Sequence, residues 1–216
     1  MAKMIEDIVF IICCKESDFI ENCINHLDNN YPNNYKIIID SDSTDKSYMN
    51  KIKKDKVIIE DIKNKNYEAG AFFLGFIKYK NFGENFVFMQ DSLCITDKIL
   101  EFESVKKNEV FVFEENETGW TIDPPAKKEF FNQNKNFIPS IKKEKFLLAI
   151  WNCFIIKKET FQKVIDSNMF NTVLLPNNKS TSRAFERIWS NIFHQNNINM
   201  KVIQKKNYIK SFGKRQ

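Results

Sequence analysis

The chain has 216 residues, of which 43% are hydrophobic and 28% are charged, and its formal net charge is +5. This composition excludes a disordered chain and predicts a globular protein with a substantial core. The modest charge suits an anionic substrate or a membrane surface, but it is too weak and dispersed for a nucleic-acid-binding protein. Basic pairs at 205–206 and 214–215 predict either a solvated tail or a loose attachment to anionic lipid.

The cysteine and histidine content limits the chemistry that the chain can perform. The odd number of cysteines and the lack of a C-x-x-C spacing or a Cys/His cluster argue against a disulfide framework and a zinc site. We expect reduced, mostly buried thiols in a cytoplasmic protein. No apolar stretch is long enough to span a membrane, and the N-terminus is not typical of a signal peptide. The cysteines are Cys13, Cys14, Cys23, Cys94 and Cys153.

Strand and helix patterns alternate over the first half of the chain. Short apolar runs predict strands, and stripes of apolar residues at helical spacing predict helices. Successive strand–helix steps predict an α/β fold with a mostly parallel central sheet flanked by helices. The predicted strands are 8–13, 35–40, 57–60 and 86–90, and the predicted helices are 17–27, 45–52, 68–79 and one that begins at Thr96.

The pattern is looser in the second half. After a predicted strand at 110–113, residues 114–145 are polar and turn-rich, which predicts a long functional loop or a small subdomain. The sheet is expected to resume at 146–156. We find no internal repeat and no clean boundary, so we predict a single domain over residues 1–216. The remaining predicted elements are helices at 159–165 and 180–195 and a last strand at 200–203.

Polar residues follow the second predicted strand directly. The aliphatic run 37–39 ends in Asp40, and ligands of open α/β sheets lie at the carboxyl ends of strands. A carboxylate there could accept a hydrogen bond from a base or a ribose, which makes Asp40 a candidate nucleotide contact. The alternative is that Asp40 and the Ser and Asp residues after it only cap the next helix.

Four segments of this kind occur in order. They are Cys13-Cys14-Lys15-Glu16 after the first strand, Asp40-Ser41-Asp42-Ser43-Thr44-Asp45 after the second, Asn66-Tyr67-Glu68-Ala69-Gly70-Ala71 at the third helix, and Met89-Gln90-Asp91-Ser92 at the end of the fourth strand. We expect a tight turn around Gly70 to open the third helix. In these segments the chain resembles the GT-A glycosyltransferases, in particular the large family-two group. The resemblance covers about residues 5–105 and, more weakly, 146–203.

The resemblance implies a GT-A-like, Rossmann-like fold that binds a nucleotide-sugar donor across the ends of strands one, two and four. Residues 1–105 would form the donor half and 106–216 the acceptor half. Asp42 stands where the family's acidic segment has a glycine. The implied donor-binding residues are Cys13, Lys15, Glu16, Asp40, Asp42, Ser43, Gly70, Gln90, Asp91 and Ser92.

One motif departs from the family. There the fourth strand ends in a D-x-D that holds a divalent metal and the diphosphate, but here those two positions are Gln90 and Ser92, with Asp91 between them. Mn²⁺ and Mg²⁺ prefer carboxylate oxygens, so this set is weaker. Three interpretations stay open: Asp91 binds Mn²⁺ or Mg²⁺ in a shifted register, binding uses little metal, or activity has been lost. Asp91 could also merely cap its turn.

The resemblance also implies a catalytic carboxylate on a late helix. Glu186 stands about where the family has its base, and Asp123 in the long loop is the second candidate. Otherwise Glu186 would form an ordinary surface pair with Arg183 or Arg187. The predicted function is an inverting transfer of sugar to a glycan, lipid or protein acceptor, in the cytoplasm or at a membrane surface.

Other functions have less support. A catalytically inactive sugar- or partner-binding module with the same fold is the main alternative, because the D-x-D is degenerate. A nucleotidyltransferase is disfavoured because the chain has no glycine-rich phosphate loop. Nucleic-acid binding is disfavoured because basic and aromatic residues do not cluster in a known motif.

Overall fold

The computed structural model describes residues 7–15, 18–115, 117–118, 129–130, 132–134, 146–167 and 173–211. Two predicted site residues, Glu16 and Asp123, lie outside the described residues, as does most of the predicted loop at 114–145. The strands are β1 Ile8–Cys14, β2 Tyr35–Asp40, β3 Val57–Glu60, β4 Asn85–Gln90, β5 Leu93–Ile95, β6 Glu109–Val112, β7 Glu117–Thr118, β8 Phe146–Leu147, β9 Phe154–Lys157, β10 Asn199–Val202 and β11 Tyr208–Lys210. The helices are α1 Ile20–Asn30, α2 Tyr48–Lys51, α3 Tyr67–Tyr79, α4 Glu101–Ser104, α5 Lys158–Asp166 and α6 Lys179–Gln195, with a 3₁₀ helix at Ile150–Asn152.

In the described part of the chain, the main sheet has seven strands in the order β10-β6-β9-β4-β1-β2-β3. Strand β9 runs antiparallel to β4 and β6, whereas the other neighbouring pairs are parallel. Short strands pair antiparallel in two further ribbons, β5 with β11 and β7 with β8. This architecture confirms the predicted α/β fold with a mostly parallel sheet.

Helices cover both faces of the sheet. All seven residues of β1 are buried, and successive side chains enter opposite layers because strand residues alternate in direction. Val9 and Ile11 pack in one core with α3, α5 and α6. Phe10 and Ile12 pack in the other core with α1, α2 and α4. This double burial explains why β1 is a continuous apolar run in the sequence.

The structure corrects several predicted element bounds. The predicted helix at 45–52 is a single turn, Tyr48–Lys51, and the one expected from Thr96 begins at Glu101 instead. Strands β5 and β11 were not predicted. Conversely, α6 begins at Lys179, within one residue of its prediction. Asn178 and Thr181 form a reciprocal capping box that fixes this start.

Two composition-based expectations can be compared with the structure. All five cysteines are buried, and none forms a disulfide, as predicted. None of the described helices combines the length and the apolar character needed to cross a membrane.

Candidate functional site

The carboxyl ends of β1, β2 and β4 meet at one edge of the sheet. Backbone hydrogen bonds join them: the Ser41 N–H donates to the Cys14 carbonyl over 2.7 Å, and the Asp91 N–H donates to the Cys13 carbonyl over 3.1 Å. The parallel register places Cys14 beside Asp40. The polar segments after these three strands are therefore neighbours, as the topology of an open sheet predicts.

The Asp40 carboxylate is fully buried and holds the loop that follows β2. It accepts hydrogen bonds from the Ser43 N–H at 2.9 Å, from the Ser43 hydroxyl, and from the Tyr48 hydroxyl at 2.6 Å. Burial and the adjoining Asp40 carboxylate raise the pKa of Tyr48. This differs from the helix-capping role that the sequence offered as the alternative, because α2 begins after Ser47 and has no side-chain cap. A contact between Asp40 and a nucleoside stays a prediction.

Asp42 has a left-handed backbone conformation. Its φ is 59°, in the left-handed region that glycine favours, and the family has a glycine here. The Asp42 carboxylate is half-exposed and lies 4.0 Å from the Lys65 ammonium. On the neighbouring segment, the Lys15 ammonium lies 5.6 Å from the centre of the Tyr67 ring.

Gly70 lies inside α3 rather than in a turn that opens it, which corrects the sequence interpretation. The left-handed residue at the start of the helix is Tyr67, with a φ of 51°. A Cβ atom at Gly70 would lie 2.7 Å from the Cβ of Asn66 and would collide with the Asn64 side chain. Gly70 therefore lets the segment before α3 pack closely on the helix.

An open cleft lies beside the end of β4. Its walls come from the start of α3, the 3₁₀ helix, the first turns of α6, and β11. The cleft brings together Gln90, Ser92 and Glu186, which are far apart in the sequence. The other described candidate residues (Cys13, Lys15, Asp40, Asp42, Ser43, Gly70 and Asp91) are not among its lining residues.

The two positions that correspond to the acidic residues of D-x-D share one partner. The Lys210 ammonium donates to the Gln90 amide oxygen and to the Ser92 hydroxyl. The Gln90 amide nitrogen in turn donates to the Glu68 carboxylate at 2.5 Å, and the Ser182 hydroxyl donates to the other Glu68 oxygen. Glu68 thus fixes the amide orientation that presents its oxygen to Lys210.

This donor set does not fit a divalent cation held between positions 90 and 92. Such a cation needs several hard oxygen ligands, preferably carboxylates. Asp91 supplies the motif's one carboxylate, but its side chain is buried and accepts a hydrogen bond from the Lys15 N–H at 3.3 Å. Across the described ranges, no group of three or more His, Cys, Asp or Glu residues could hold a metal ion.

Glu186 also lines the cleft. Its carboxylate accepts a hydrogen bond from the Trp151 N–H at 3.0 Å. Burial raises the pKa of Glu186 to about 7; the Glu68 carboxylate also raises it, whereas that hydrogen bond and the charges of Arg187 and Arg183 lower it. A carboxyl group that titrates near neutrality in a cleft is the chemistry expected of a general base.

Sequence reasoning missed Lys210 and Glu68 as site residues. The available signal was the neutral residues at both acidic positions of D-x-D. Without those carboxylates a divalent cation is held less well, which suggests that another group supplies its positive charge. The position of that group could not be read, because Lys210 reaches Gln90 through the pairing of β11 with β5, two strands of three residues each.

The comparisons with known proteins concern the fold. No protein-family model matches the chain, and no curated protein matches it by sequence. The crystal structure of S. aureus TarS superimposes with a TM-score of 0.51 at 14% identity, over 94% of this chain and 36% of that one. Residues 1–349 of TarS in complex with UDP give a TM-score of 0.52 at 13% identity, over 94% of this chain and 59% of that one.

This chain therefore spans less than two thirds of the length of either TarS structure. The likeness shows a GT-A-like glycosyltransferase fold, which confirms the fold that the resemblance implied.

Proposed function

We propose that this protein is a nucleotide-sugar-dependent glycosyltransferase that acts on a glycan, lipid or protein acceptor with inversion at the sugar carbon. One observation carries the proposal. On a GT-A-like fold, Glu186, with a pKa of about 7, faces the same cleft as the end of β4. In this fold type the nucleotide sugar is expected at the carboxyl ends of the strands.

Glu186 is the proposed general base. Its carboxylate would take the proton of the acceptor hydroxyl as the acceptor oxygen forms a bond to the anomeric carbon of the donor sugar. The bond between that carbon and the diphosphate oxygen breaks at the same time, and the nucleoside diphosphate leaves. This single displacement inverts the anomeric centre. A pKa near the working pH suits the base because a useful fraction is deprotonated and still basic.

The charges that line the cleft support an anionic donor. Lys179 and Arg183 extend from the start of α6, and Lys210 comes from β11. Two carboxylates, Glu68 and Glu186, lie on the same lining. A diphosphate would meet the cations, while the acceptor hydroxyl would meet Glu186.

The test is a nucleotide-release assay with UDP-, GDP-, dTDP- and CDP-sugars and a panel of acceptors. Reactions without an added acceptor measure transfer to water. Glu186→Gln keeps an oxygen that can accept from Trp151 but cannot take a proton. We expect it to lower turnover by about 10²- to 10⁴-fold while the affinity for the nucleoside diphosphate changes by less than about twofold. The control is Glu159→Gln, since Glu159 lies on α5, is exposed, and pairs with Lys107 at 3.0 Å.

Two results would count against the proposal in different ways. If no nucleotide bound, the whole donor site would be wrong. If a nucleotide bound but every acceptor, including water, gave no release, the chain would be a non-catalytic binding module. That second function is favoured by one observation, the neutral Gln90 and Ser92 at the acidic positions of the motif.

A further inference from the structure

We propose that the Lys210 ammonium binds the donor diphosphate in place of the divalent cation that related sites use. The proposal rests on the proposed function, since it assigns the charge that holds the leaving group of that reaction. It follows from the misfit of a metal between positions 90 and 92 and from the group that the structure puts there instead.

The position of Lys210 is set by backbone pairing rather than by a mobile side chain alone. Strand β11 pairs antiparallel with β5, and Lys210 lies opposite Leu93. Just beyond the strand, the Ser211 N–H donates to the Ser92 carbonyl at 2.8 Å. The main chain of residues 210–211 therefore lies directly against the end of the β4 motif, which aims the lysine at it.

Several contacts orient the ammonium group. The Gln90 oxygen and the Ser92 hydroxyl accept from it, and the Trp151 ring centre lies 5.5 Å from its nitrogen. A cation over an indole ring is attracted to the π face. Gln90 is itself held by Glu68, so the oxygen that Lys210 uses is fixed in place.

A charge count explains why this exchange is coherent. Two carboxylates and a divalent cation add to zero, and the Lys210 ammonium together with the Glu68 carboxylate that holds Gln90 also adds to zero. Replacing both acids by Gln90 and Ser92 thus removes the reason to recruit a metal and lets a single ammonium present positive charge to a diphosphate. Lys179 and Arg183 line the same cleft and can meet the remaining phosphate charge.

The experiment is a calorimetric titration with UDP, GDP, dTDP and CDP, each with EDTA and again with Mn²⁺. We expect one of them to bind with the same affinity in both buffers. Lys210→Met should weaken that nucleotide by roughly tenfold to a hundredfold, because a charge-assisted contact to phosphate is lost. The same variant should bind the corresponding nucleoside, which has no phosphate, as well as the parent protein does.

Three further variants keep the test decisive. Lys210→Arg keeps the charge, and its nucleotide affinity should stay within about threefold of that of the parent protein. Thermal unfolding shows whether Lys210→Met folds, and Lys210→Gln replaces it if it does not. The matched control is Lys206→Met. Lys206 lies on the same C-terminal segment as Lys210, is exposed, and pairs with Glu114 at 3.2 Å. We expect no change in nucleotide affinity from it.

The contrary outcomes separate this inference from the proposed function. Binding that EDTA abolishes and Mn²⁺ restores would overturn the role of Lys210 and leave the transferase proposal standing. So would a methionine variant that binds the nucleoside diphosphate as tightly as the parent. Failure of every nucleotide in both buffers would overturn the proposed function, and this inference with it.

Discussion

The backbone N–H of Trp151 donates to the carboxylate of Glu186 over 3.0 Å, from a residue whose φ is 57°. The next residue, Asn152, is also left-handed, and its side-chain amide donates to the Ser182 carbonyl at 3.1 Å on α6. Left-handed non-glycine residues cost on the order of 1 kcal/mol each, so the packing of this turn against α6 must offset that cost. The turn thereby directs one N–H at a carboxylate that burial otherwise disfavours.

The raised pKa of Glu186 predicts a pH-dependent stability. The unfolded carboxyl titrates near its ordinary value of 4.5, whereas the folded one titrates at about 7. Between those values the folded protein holds a proton that the unfolded chain has released, so stability falls as pH rises and the loss is complete above the folded pKa. Glu186→Gln removes this term. Its free energy of unfolding relative to the parent should rise by about 2 kcal/mol from pH 5 to pH 8.

Urea unfolding of both proteins at several pH values measures that difference. Glu159→Gln on the exposed face of α5 is the control, and its curve should run parallel to that of the parent. If the Glu186→Gln curve ran parallel too, Glu186 would titrate normally and would lose its support as the base.

Glu68 should tune the titration of Glu186. Its negative charge is one cause of the raised pKa of Glu186, and it lies on the same cleft. Glu68→Gln is therefore expected to lower the pKa of Glu186. The pKa of Glu186 can be measured without any substrate, from the NMR chemical shift of its side-chain carboxyl carbon as a function of pH. The exposed residue Glu84 supplies a matched control as Glu84→Gln, and an equal shift in both variants would exclude a specific effect of Glu68.

The Asp40–Tyr48 hydrogen bond should contribute to stability. Tyr48→Phe leaves the buried Asp40 carboxylate short of one donor, which costs roughly 1–3 kcal/mol. Asp40→Asn and the double variant complete a thermodynamic cycle measured by urea unfolding. We expect the two substitutions to be non-additive by about 1 kcal/mol or more, because each removes the same hydrogen bond. Strictly additive losses would mean that the two side chains do not interact.

The sheet was predictable from the sequence where strands are long and buried on both faces. β1 is a continuous apolar run, β2 and β4 each contain one, and their order follows from the alternation with helices. β5 and β11 were missed for a physical reason. Each has three residues, too few to show a period, and their pairing joins segments more than a hundred residues apart.

The site was predictable as a place and less so as a set of contacts. The ends of β1, β2 and β4 could be identified because polar residues follow apolar runs. The sequence could not show that the Asp40 carboxylate accepts hydrogen bonds from Ser43 and Tyr48, or that Lys210 donates to Gln90. Those depend on which donors the folded chain brings near each group.

Asp42 offers a last test, because its backbone is left-handed and the motif that this segment resembles has a glycine at the same position. With a φ of 59°, an aspartate is tolerated, a glycine is relaxed and a β-branched residue is strained. We expect Asp42→Gly to lie between neutral and about 1 kcal/mol stabilising, since relief of strain is partly offset by the flexibility of glycine in the unfolded chain. Asp42→Val should cost about 1–2 kcal/mol. Lys65→Met removes the ammonium group that lies 4.0 Å from the Asp42 carboxylate, and it measures the small contribution of that ion pair to stability. If urea unfolding showed Asp42→Gly to be the more damaging change, the Asp42 side chain rather than its backbone would stabilise the loop.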